Sequence, residues 1–162
     1  MQQNFENYTK DMSYEDKMLY AFVGKPDKFM WYKKAFAKYD VYGVKEFAWN
    51  WSWYAFFFTF FYLLYRKVYK VSIILGGFYL IIGSIGGPLG FLINIILGGT
   101  LPYYVYERYL RKKQDIEMHI SDENLRIGAM KIIGGVNKSI IPLTVVLSII
   151  LVIFYLMIIL SF

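Results

Sequence analysis

The side chains most capable of chemistry are few in this chain. Its single histidine, His119, lies near Glu117 and Asp122, where an imidazole can exchange a proton close to neutral pH. One histidine in a charged, solvated segment is more often an ordinary surface residue, and only carboxylates lie at ligand spacing from it. Cysteine is absent, so cysteine-based zinc sites, thiolate nucleophiles and disulfides are excluded. We therefore expect no catalytic residue, no metal and no other cofactor, in a protein that is not an enzyme.

The long uncharged stretches offer only neutral polar side chains for chemistry. The polar residues inside the expected membrane segments include Thr59, Ser72, Ser84, Asn94, Thr100, Thr144 and Ser148. Proton-coupled carriers and intramembrane hydrolases usually need a buried carboxylate, a histidine, or a nucleophile with its base. Asn94 stands out because a carboxamide in hydrocarbon needs a hydrogen-bond partner. It is a candidate for joining helices, with a place in a pore as the alternative.

Composition and the distribution of charge predict a helical membrane protein. The 162 residues are 57% hydrophobic and 21% aromatic, with a mean hydropathy of +0.38. Residues 47–65, 71–106 and 139–162 carry no charge and no histidine, and hydrocarbon is the natural solvent for such stretches. The polar N-terminus lacks the pattern of a cleavable signal peptide. The predicted fold class is an all-α integral membrane protein, in a chain of one domain's length.

Residues 1–46 are predicted to form a cytoplasmic or interfacial lead-in with two amphipathic helices. Ser13, followed by Asp16, has the pattern of a helix N-cap, and Gly24 is expected to end that helix. Pro26 is well suited to begin the second helix. The aromatic side chains of this second helix recur at steps of three and four residues and form one stripe: Phe29, Tyr32, Phe36 and Tyr39.

Lysines flank this aromatic stripe, and the candidates for contact with lipid headgroups are Lys33, Lys34 and Lys38. An amphipathic helix can lie in the headgroup plane, with its rings in the acyl boundary and its lysines among anionic lipids. The same pattern also suits a helix that packs against the cytoplasmic side of its own protein. The sequence leaves both arrangements open.

Residues 47–162 are predicted to form the membrane domain in four parts. These are an aromatic segment at 47–65, a helical hairpin at 71–106, a cytoplasmic loop with one helix at 107–138 and a final transmembrane helix at 139–162. Within the loop, Ser121 is expected to cap the helix and Gly134-Gly135 to end it.

The stretch 71–106 is too long for one span, so a break is expected at Gly86-Gly87-Pro88. Gly83 and Gly87 also have the G-x-x-x-G spacing that lets helix backbones approach closely. They are therefore candidates for a helix-helix contact, although the proline favours a turn at this position.

The positions of the basic residues predict the topology. If 47–65 crosses the membrane, together with two spans in 71–106 and one in the tail, the 18 Lys and Arg residues divide into 8 inside and 10 outside. If 47–65 instead dips in and returns, or lies along the interface, all 18 face the cytoplasm, as the positive-inside rule favours. We therefore expect three crossings of the cytoplasmic (inner) membrane, with the N-terminus inside and the C-terminus outside. A re-entrant backbone at 47–65 must then be covered by protein.

The motif FAWNWSWYAFFF at Phe47–Phe58, followed by YRKVY at Tyr65–Tyr69, resembles the signature of a family of small bacterial membrane proteins, the domain-of-unknown-function 2628 family. The likeness covers about residues 20–160. The residues that carry the motif, and the candidate interface, are Trp49, Asn50, Trp51, Phe56, Phe57, Phe58, Tyr65, Arg66, Lys67 and Tyr69. The family is defined by sequence, so the resemblance implies no activity, cofactor or catalytic residue.

One departure from the family pattern concerns the shape of the aromatic segment. Family members often carry Gly-Pro in the middle of the run, where this chain has Thr59-Phe60. Without that break, a continuous interfacial or short spanning helix becomes more favourable. Asn50 is expected to cap the aromatic helix rather than to recognise a partner. Arg66 and Lys67 suit a lipid phosphate or the cytoplasmic edge of the membrane.

The leading functional hypothesis is a non-enzymatic integral membrane subunit or scaffold. It would self-associate as a homo-oligomer or dock a cytosolic partner or anionic lipid through its basic aromatic face. The alternatives are an oligomeric channel or a transport protein for lipids or small solutes, and a membrane-disrupting defence effector. The net charge of +6 follows from the positive-inside rule, so we expect no nucleic acid partner.

Overall fold

The computed structural model describes residues 11–82 and 88–160. In these ranges the chain forms seven helices and one two-stranded antiparallel sheet. The elements are α1 Tyr14–Val23, α2 Pro26–Ala37, β1 Asp40–Val41, β2 Val44–Lys45, α3 Trp53–Tyr65, α4 Tyr69–Ile82, α5 Pro88–His119, α6 Glu123–Ile133 and α7 Ile140–Leu160. The all-α prediction is confirmed, since the sheet has only two residues in each strand.

The first helix of the lead-in begins and ends, and the second begins, at the residues predicted from the sequence. The Ser13 hydroxyl accepts a hydrogen bond from the backbone N–H of Asp16 at 3.2 Å, and α1 ends at Gly24, which has a left-handed φ of 64°. Pro26 is the first residue of α2, as predicted. The hairpin β1–β2 that follows is not predicted by the sequence pattern. There Tyr42 and Gly43 both have positive φ, as a two-residue hairpin turn requires.

Two predicted caps are wrong by one or two residues. Asp122, not Ser121, caps α6, and its carboxylate accepts from the N–H of Leu125 at 2.8 Å. Ser52, not Asn50, caps α3, because the backbone remains extended as far as Ser52 before the helix begins. In both cases a neighbouring side chain has the same capping chemistry, and the point at which the chain turns into the helix selects one of them.

The headpiece consists of α1, α2, α6 and the charged half of α5 after residue 106. Its core is a cluster of rings in tilted and edge-to-face contact, with Phe36 in contact with the rings of Phe22, Tyr106 and Tyr109. The predicted loop at 107–138 is therefore wrong in its first part, because α5 continues to His119. Residues with good helix propensity fill this part of α5, and burial of Tyr109 and Ile116 against the rest of the headpiece stabilises it.

The carboxyl ends of α1 and α6 meet at a glycine junction. Gly134 ends α6 as predicted, and the N–H of Gly135 donates to the carbonyl of Phe22 at 2.8 Å. A Cβ on Gly134 would lie 2.7 Å from the Cα of Phe22, and one on Gly24 would lie 2.8 Å from the Cα of Gly135. Only glycine permits this approach of two backbones.

The apolar part consists of α3, α4, the apolar half of α5 and α7. Among the described residues, one helix, Leu89–His119, is long and apolar enough to cross a membrane by length and composition. Helix α3 has only 13 residues, which corresponds to about 20 Å, against a hydrocarbon thickness of about 30 Å. The three predicted crossings therefore go beyond this finding. The predicted break between α4 and α5, with Gly83 and Gly87, lies outside the described residues.

Candidate functional site

A concave site, the aromatic groove, lies between α2, α3 and the first turns of α7. Its volume is about 610 Å³, which is in the usual range for ligand pockets of about 300–1,000 Å³. Its lining combines many rings with three cations and one carboxylate. The lining residues are Lys25, Asp27, Lys28, Trp31, Tyr32, Trp51, Ser52, Trp53, Tyr54, Phe58, Phe61, Tyr62, Tyr65, Arg66, Ile140, Ile141, Thr144 and Val145.

A proline in α5 fixes one side of the groove. Pro102 has no N–H to bond the carbonyl of Gly98, and that carbonyl accepts from the N–H of Ser52 at 2.9 Å instead. The next carbonyl, that of Gly99, accepts from the N–H of Asn50 at 3.1 Å. The extended segment before α3 thus satisfies its backbone against a helix, as buried irregular backbone must.

Gly98 and Gly99 of α5 make room for the motif tryptophans. A Cβ on Gly98 would lie 3.0 Å from the ring of Trp51, and one on Gly99 would overlap the ring of Trp49. Phe56 continues this packing, with its ring 5.4 Å from that of Trp51. These motif residues therefore pack on α5, whereas Phe57 and Phe58 remain largely exposed.

Helix α3 is bent at Thr59, which has φ 38° and ψ −111°. This conformation favours glycine, and Thr59 occupies the place where family members often carry Gly-Pro. The Ser72 hydroxyl donates to the carbonyl of Phe60 at 2.7 Å, which satisfies a backbone acceptor beside the bend. The backbone of α3 is therefore broken at Thr59, although Thr59-Phe60 replaces the Gly-Pro that often marks the break in the family.

Both ends of the bent helix lie against the same turn of α2. The Lys28 ammonium lies 5.7 Å from the ring centroid of Tyr54, and the Lys25 ammonium lies 5.4 Å from that of Tyr65. In a straight helix these two rings would be separated by about 16 Å along the axis. The bend at Thr59 lies midway between these two contacts.

The cations of the groove differ in their partners. Lys25 has a raised pKa because the Tyr65 hydroxyl is a hydrogen-bond partner, so it stays charged at neutral pH. Lys28 pairs with Asp27 at 3.4 Å, and both side chains are well exposed, so the pair contributes little to stability. The third cation, Arg66, is buried, with its Cζ 4.3 Å from the ring centroid of Tyr32.

Arg66 also belongs to a cation cluster with Lys67 and Arg108 at the glycine junction. Arg66 donates to the carbonyl of Val23 at 3.2 Å, Lys67 to that of Gly134 at 2.5 Å, and Arg108 to that of Ile133 at 2.8 Å. These carbonyls end α1 and α6, where the helix dipole is negative. Burial lowers the pKa of Lys67, and the charges of Arg108 and Arg66 lower it further.

The predicted aromatic stripe faces the protein, not the lipid. Phe29, Tyr32, Phe36 and Tyr39 are all buried in the core. Of the two arrangements that the sequence left open, the structure has the helix packed against its own protein.

The three headgroup lysines have different surroundings. Lys33 binds Asp16 of α1 at 2.7 Å, and Lys38 donates to Oδ1 of Asn50 at 3.4 Å. Lys34 is exposed and does not line the groove.

The other candidates have structural surroundings. The Tyr79 hydroxyl donates to Oδ1 of Asn94, which joins α4 to α5 within one chain. Nδ2 of Asn137 donates weakly to the Tyr69 hydroxyl at 3.5 Å. His119 is exposed at the end of α5, with Nδ1 2.7 Å from the carbonyl of Asp115. No metal-binding group of three acidic, histidine or cysteine residues lies in the described part of the chain.

Sequence reasoning missed three residues that the structure adds to the candidate site: Lys25, Lys28 and Arg108. Lys25 and Lys28 flank Pro26, and a cation beside the first turn of an aromatic helix was an available signal. Arg108 gives no such signal, because it lies in a charged segment whose sequence also suits a solvated loop.

Comparison with known families gives a clear result for the first part of the chain. Residues 10–104, more than half of its length, match the family described as "Protein of unknown function (DUF2628)". The chain belongs to the DUF2628 family. Membership of the family is thus confirmed, although the match ends at residue 104 and the predicted likeness extended to about residue 160. The matched range includes every groove cation, whereas α6, α7 and the charged half of α5 lie outside it. No curated protein and no solved structure matches the chain.

Proposed function

We propose that this DUF2628 protein is a non-enzymatic membrane scaffold that binds an anionic lipid in the aromatic groove. The observation that carries the proposal is the lining of the groove. Cations lie at the first turn of α2, and apolar side chains such as Phe58, Phe61 and Val145 line the remainder. An anionic amphiphile has this same division between a charged head and an apolar chain.

The function requires the groove to lie at the cytoplasmic surface of the membrane, and we propose three crossings to place it there. Helix α7 contains 21 residues without a charge, and the uncharged stretch 71–106, which includes most of α4 and the apolar half of α5, would supply the other two spans. The bent α3 would enter and leave on the cytoplasmic side, covered by α4 and α5. All 18 Lys and Arg residues would then face the cytoplasm.

Lipid selectivity tests the proposed function. The full chain in mild detergent is titrated with phosphatidylglycerol or phosphatidylcholine, and bound lipid is counted by native mass spectrometry. We expect clear preference for phosphatidylglycerol, reduced by the double substitution Lys25→Gln and Lys28→Gln. Lys34→Gln is the matched control, since it removes an exposed lysine of α2 outside the groove. Equal binding of the two lipids would refute the proposal.

Cysteine labelling tests the topology, because the chain has no cysteine of its own. Single cysteines at Tyr42, Lys70 and Met118 are exposed in the structure and should resist an impermeant thiol reagent in intact cells. A cysteine in place of Phe162 should react. External labelling of the Lys70 variant would show that α3 crosses the membrane.

A further inference from the structure

We propose that the headgroup bound in the aromatic groove is a phosphate monoester, and that the Arg66 guanidinium is its main ligand. This inference rests on the proposed lipid-binding function and specifies the class of lipid. It follows from the buried arginine and from the charge of the cation cluster around it.

Arg66 is only 3% exposed, yet its hydrogen bonding is incomplete. Nη1 donates to the carbonyl of Val23, whereas Nε and Nη2 have no hydrogen-bond acceptor. A buried guanidinium normally satisfies its N–H groups, so two open donors on one side chain point to a missing acceptor. Arg66 lines the groove, and Nε with one Nη forms the fork that binds two oxygens of a phosphate or carboxylate.

Tyr32 and Phe22 hold this guanidinium in place. The Cζ of Arg66 lies 4.3 Å from the ring centroid of Tyr32 and 5.8 Å from that of Phe22. The Tyr32 hydroxyl is itself 3.3 Å from the hydroxyl of Tyr62 on α3. The donor fork is thus fixed by packing before any ligand arrives, which reduces the entropy lost on binding.

The charge of the cation cluster favours a monoester over a diester. In the described part of the chain, Arg66, Lys67 and Arg108 form no ion pair with a carboxylate, and their acceptors are backbone carbonyls. The two helix ends beneath them supply about half a negative charge each, which leaves about two positive charges unbalanced. A phosphate monoester carries about −1.5 to −2 at neutral pH, whereas a diester carries a single charge.

Lys67 and Arg108 act as positioning residues in this proposal, because neither lines the groove. Both bind the carboxyl end of α6, and Arg108 has its Cζ 5.2 Å from the Phe22 ring that also contacts Arg66. Nη1 of Arg108 likewise has no hydrogen-bond acceptor. Their contribution is the positive field at the site.

Tryptophan fluorescence gives a direct test, since three of the four tryptophans, Trp31, Trp51 and Trp53, line the groove. The full chain in mild detergent is titrated with lipids whose chains carry bromine, which quenches tryptophan on contact. The probes are brominated phosphatidate, a monoester, and brominated phosphatidylglycerol, a diester, with phosphatidylcholine as the neutral reference. We expect phosphatidate to bind about tenfold more tightly than phosphatidylglycerol, the equivalent of one additional charge-assisted contact.

Two results separate this inference from the proposed function. If phosphatidate and phosphatidylglycerol bind with equal affinity, and both bind more tightly than phosphatidylcholine, the preference for a phosphate monoester is overturned. The groove would then still be a site for anionic lipids. Equal affinity for all three lipids overturns both proposals.

Substitutions at the groove test the role of Arg66. Arg66→Gln should abolish the preference for phosphatidate while Arg66→Lys, which keeps the charge and loses the fork, retains part of it. Arg66 also donates to the carbonyl at the end of α1, so its substitution can affect folding. Lys25→Gln, at a half-buried position, therefore serves as a second variant and should weaken the binding of phosphatidate by up to about tenfold. A full preference for phosphatidate in a folded Arg66→Gln protein would overturn the assignment.

Inorganic phosphate distinguishes a lipid from a free phosphate compound. We expect millimolar phosphate to leave the brominated phosphatidate bound, because it lacks the chain that the apolar walls hold. Complete displacement by phosphate, with a short-chain phosphatidate binding no better than phosphate itself, would overturn the assignment of the ligand as a lipid. It would indicate a soluble phosphate compound instead.

Discussion

The headpiece and the apolar part use aromatic residues in opposite ways. In the headpiece, the rings of α2 point inward, and Phe36 is only 5% exposed. In the apolar part, α3 turns several rings outward, and Phe57 is 66% exposed. Helix α2 has a polar face that can meet water, so its rings can be buried on the other face. Helix α3 is apolar all round, so some of its rings must be exposed at the surface or in the groove.

This difference shows that an aromatic stripe flanked by lysines does not by itself identify a lipid-facing helix. The stripe of α2 stabilises the headpiece, and only the two lysines at its first turn, Lys25 and Lys28, are directed to the groove. The surface proposed to meet lipid is made by the bend in α3. Each of the four predictions below tests one side of the contrast.

The largest expected effect is the loss of a headpiece ring. Phe36→Ala removes contacts with the rings of Phe22, Tyr106 and Tyr109 and should lower the free energy of unfolding in detergent by about 3–5 kcal/mol. Phe57→Ala, the matched change at an exposed ring, should lower it by less than about 1 kcal/mol. Denaturant titration followed by circular dichroism measures both. If the two variants lost similar amounts of unfolding free energy, the buried ring of the headpiece and the exposed ring of α3 would not differ in their contribution to stability.

The glycine junction tests whether the headpiece depends on close backbone contact. Gly134→Ala forces a Cβ against the backbone of Phe22 and should destabilise the protein by about 1–3 kcal/mol. Gly128→Ala, at an open position within α6, should instead stabilise it by about 0.5–1 kcal/mol. The same denaturant titration measures both changes in the free energy of unfolding. If both substitutions stabilised the protein, or both destabilised it, the proposed close backbone contact at Gly134 would be wrong.

The bend in α3 tests the apolar part. Thr59→Gly relieves the strain of a positive φ, so the glycine variant should be more stable than Thr59→Ala by about 1–2 kcal/mol. Alanine is the appropriate reference because both variants lack the hydroxyl. Greater stability of the alanine variant would mean that α3 is straight at this residue, and the groove would lose its shape.

The smallest expected effect concerns the hydrogen bond between α4 and α5. Asn94→Leu removes the acceptor of the Tyr79 hydroxyl, and a double-mutant cycle with Tyr79→Phe should give a coupling of about 0.6 kcal/mol. Thermal unfolding in lipid nanodiscs measures the cycle. Strictly additive effects would show that the two side chains do not interact, and would reopen a role for Asn94 in a pore.

Much of the local structure was predictable because local residues determine it. The capping serine at Ser13, the proline at Pro26 and the glycines at Gly24 and Gly134 set helix ends through their own backbone preferences. The missed hairpin also had a local signal in Tyr42-Gly43, but its two-residue strands are too short for an alternating pattern. The length of α5 was missed because a charged sequence can be either a solvated loop or a helix packed on a partner.

The candidate site was only partly predictable. Trp51, Tyr65 and Arg66 were found through the family motif, and all three line the groove. Lys33 and Lys38 were equally plausible from their spacing, yet tertiary contacts direct them to Asp16 and Asn50. Spacing gives the face of a helix on which a side chain lies, and it does not give the neighbour of that face.

The sequence by itself determined that this DUF2628 chain is helical, where several helices end, and that its charge is concentrated outside three apolar stretches. Those properties depend on the residues' own backbone preferences and on their transfer energies, which act locally. The tertiary structure decided which aromatic side chains are buried, that Thr59 adopts a glycine conformation and that the cation cluster gathers at the glycine junction. These features depend on contacts between residues far apart in the chain, and no local preference specifies them.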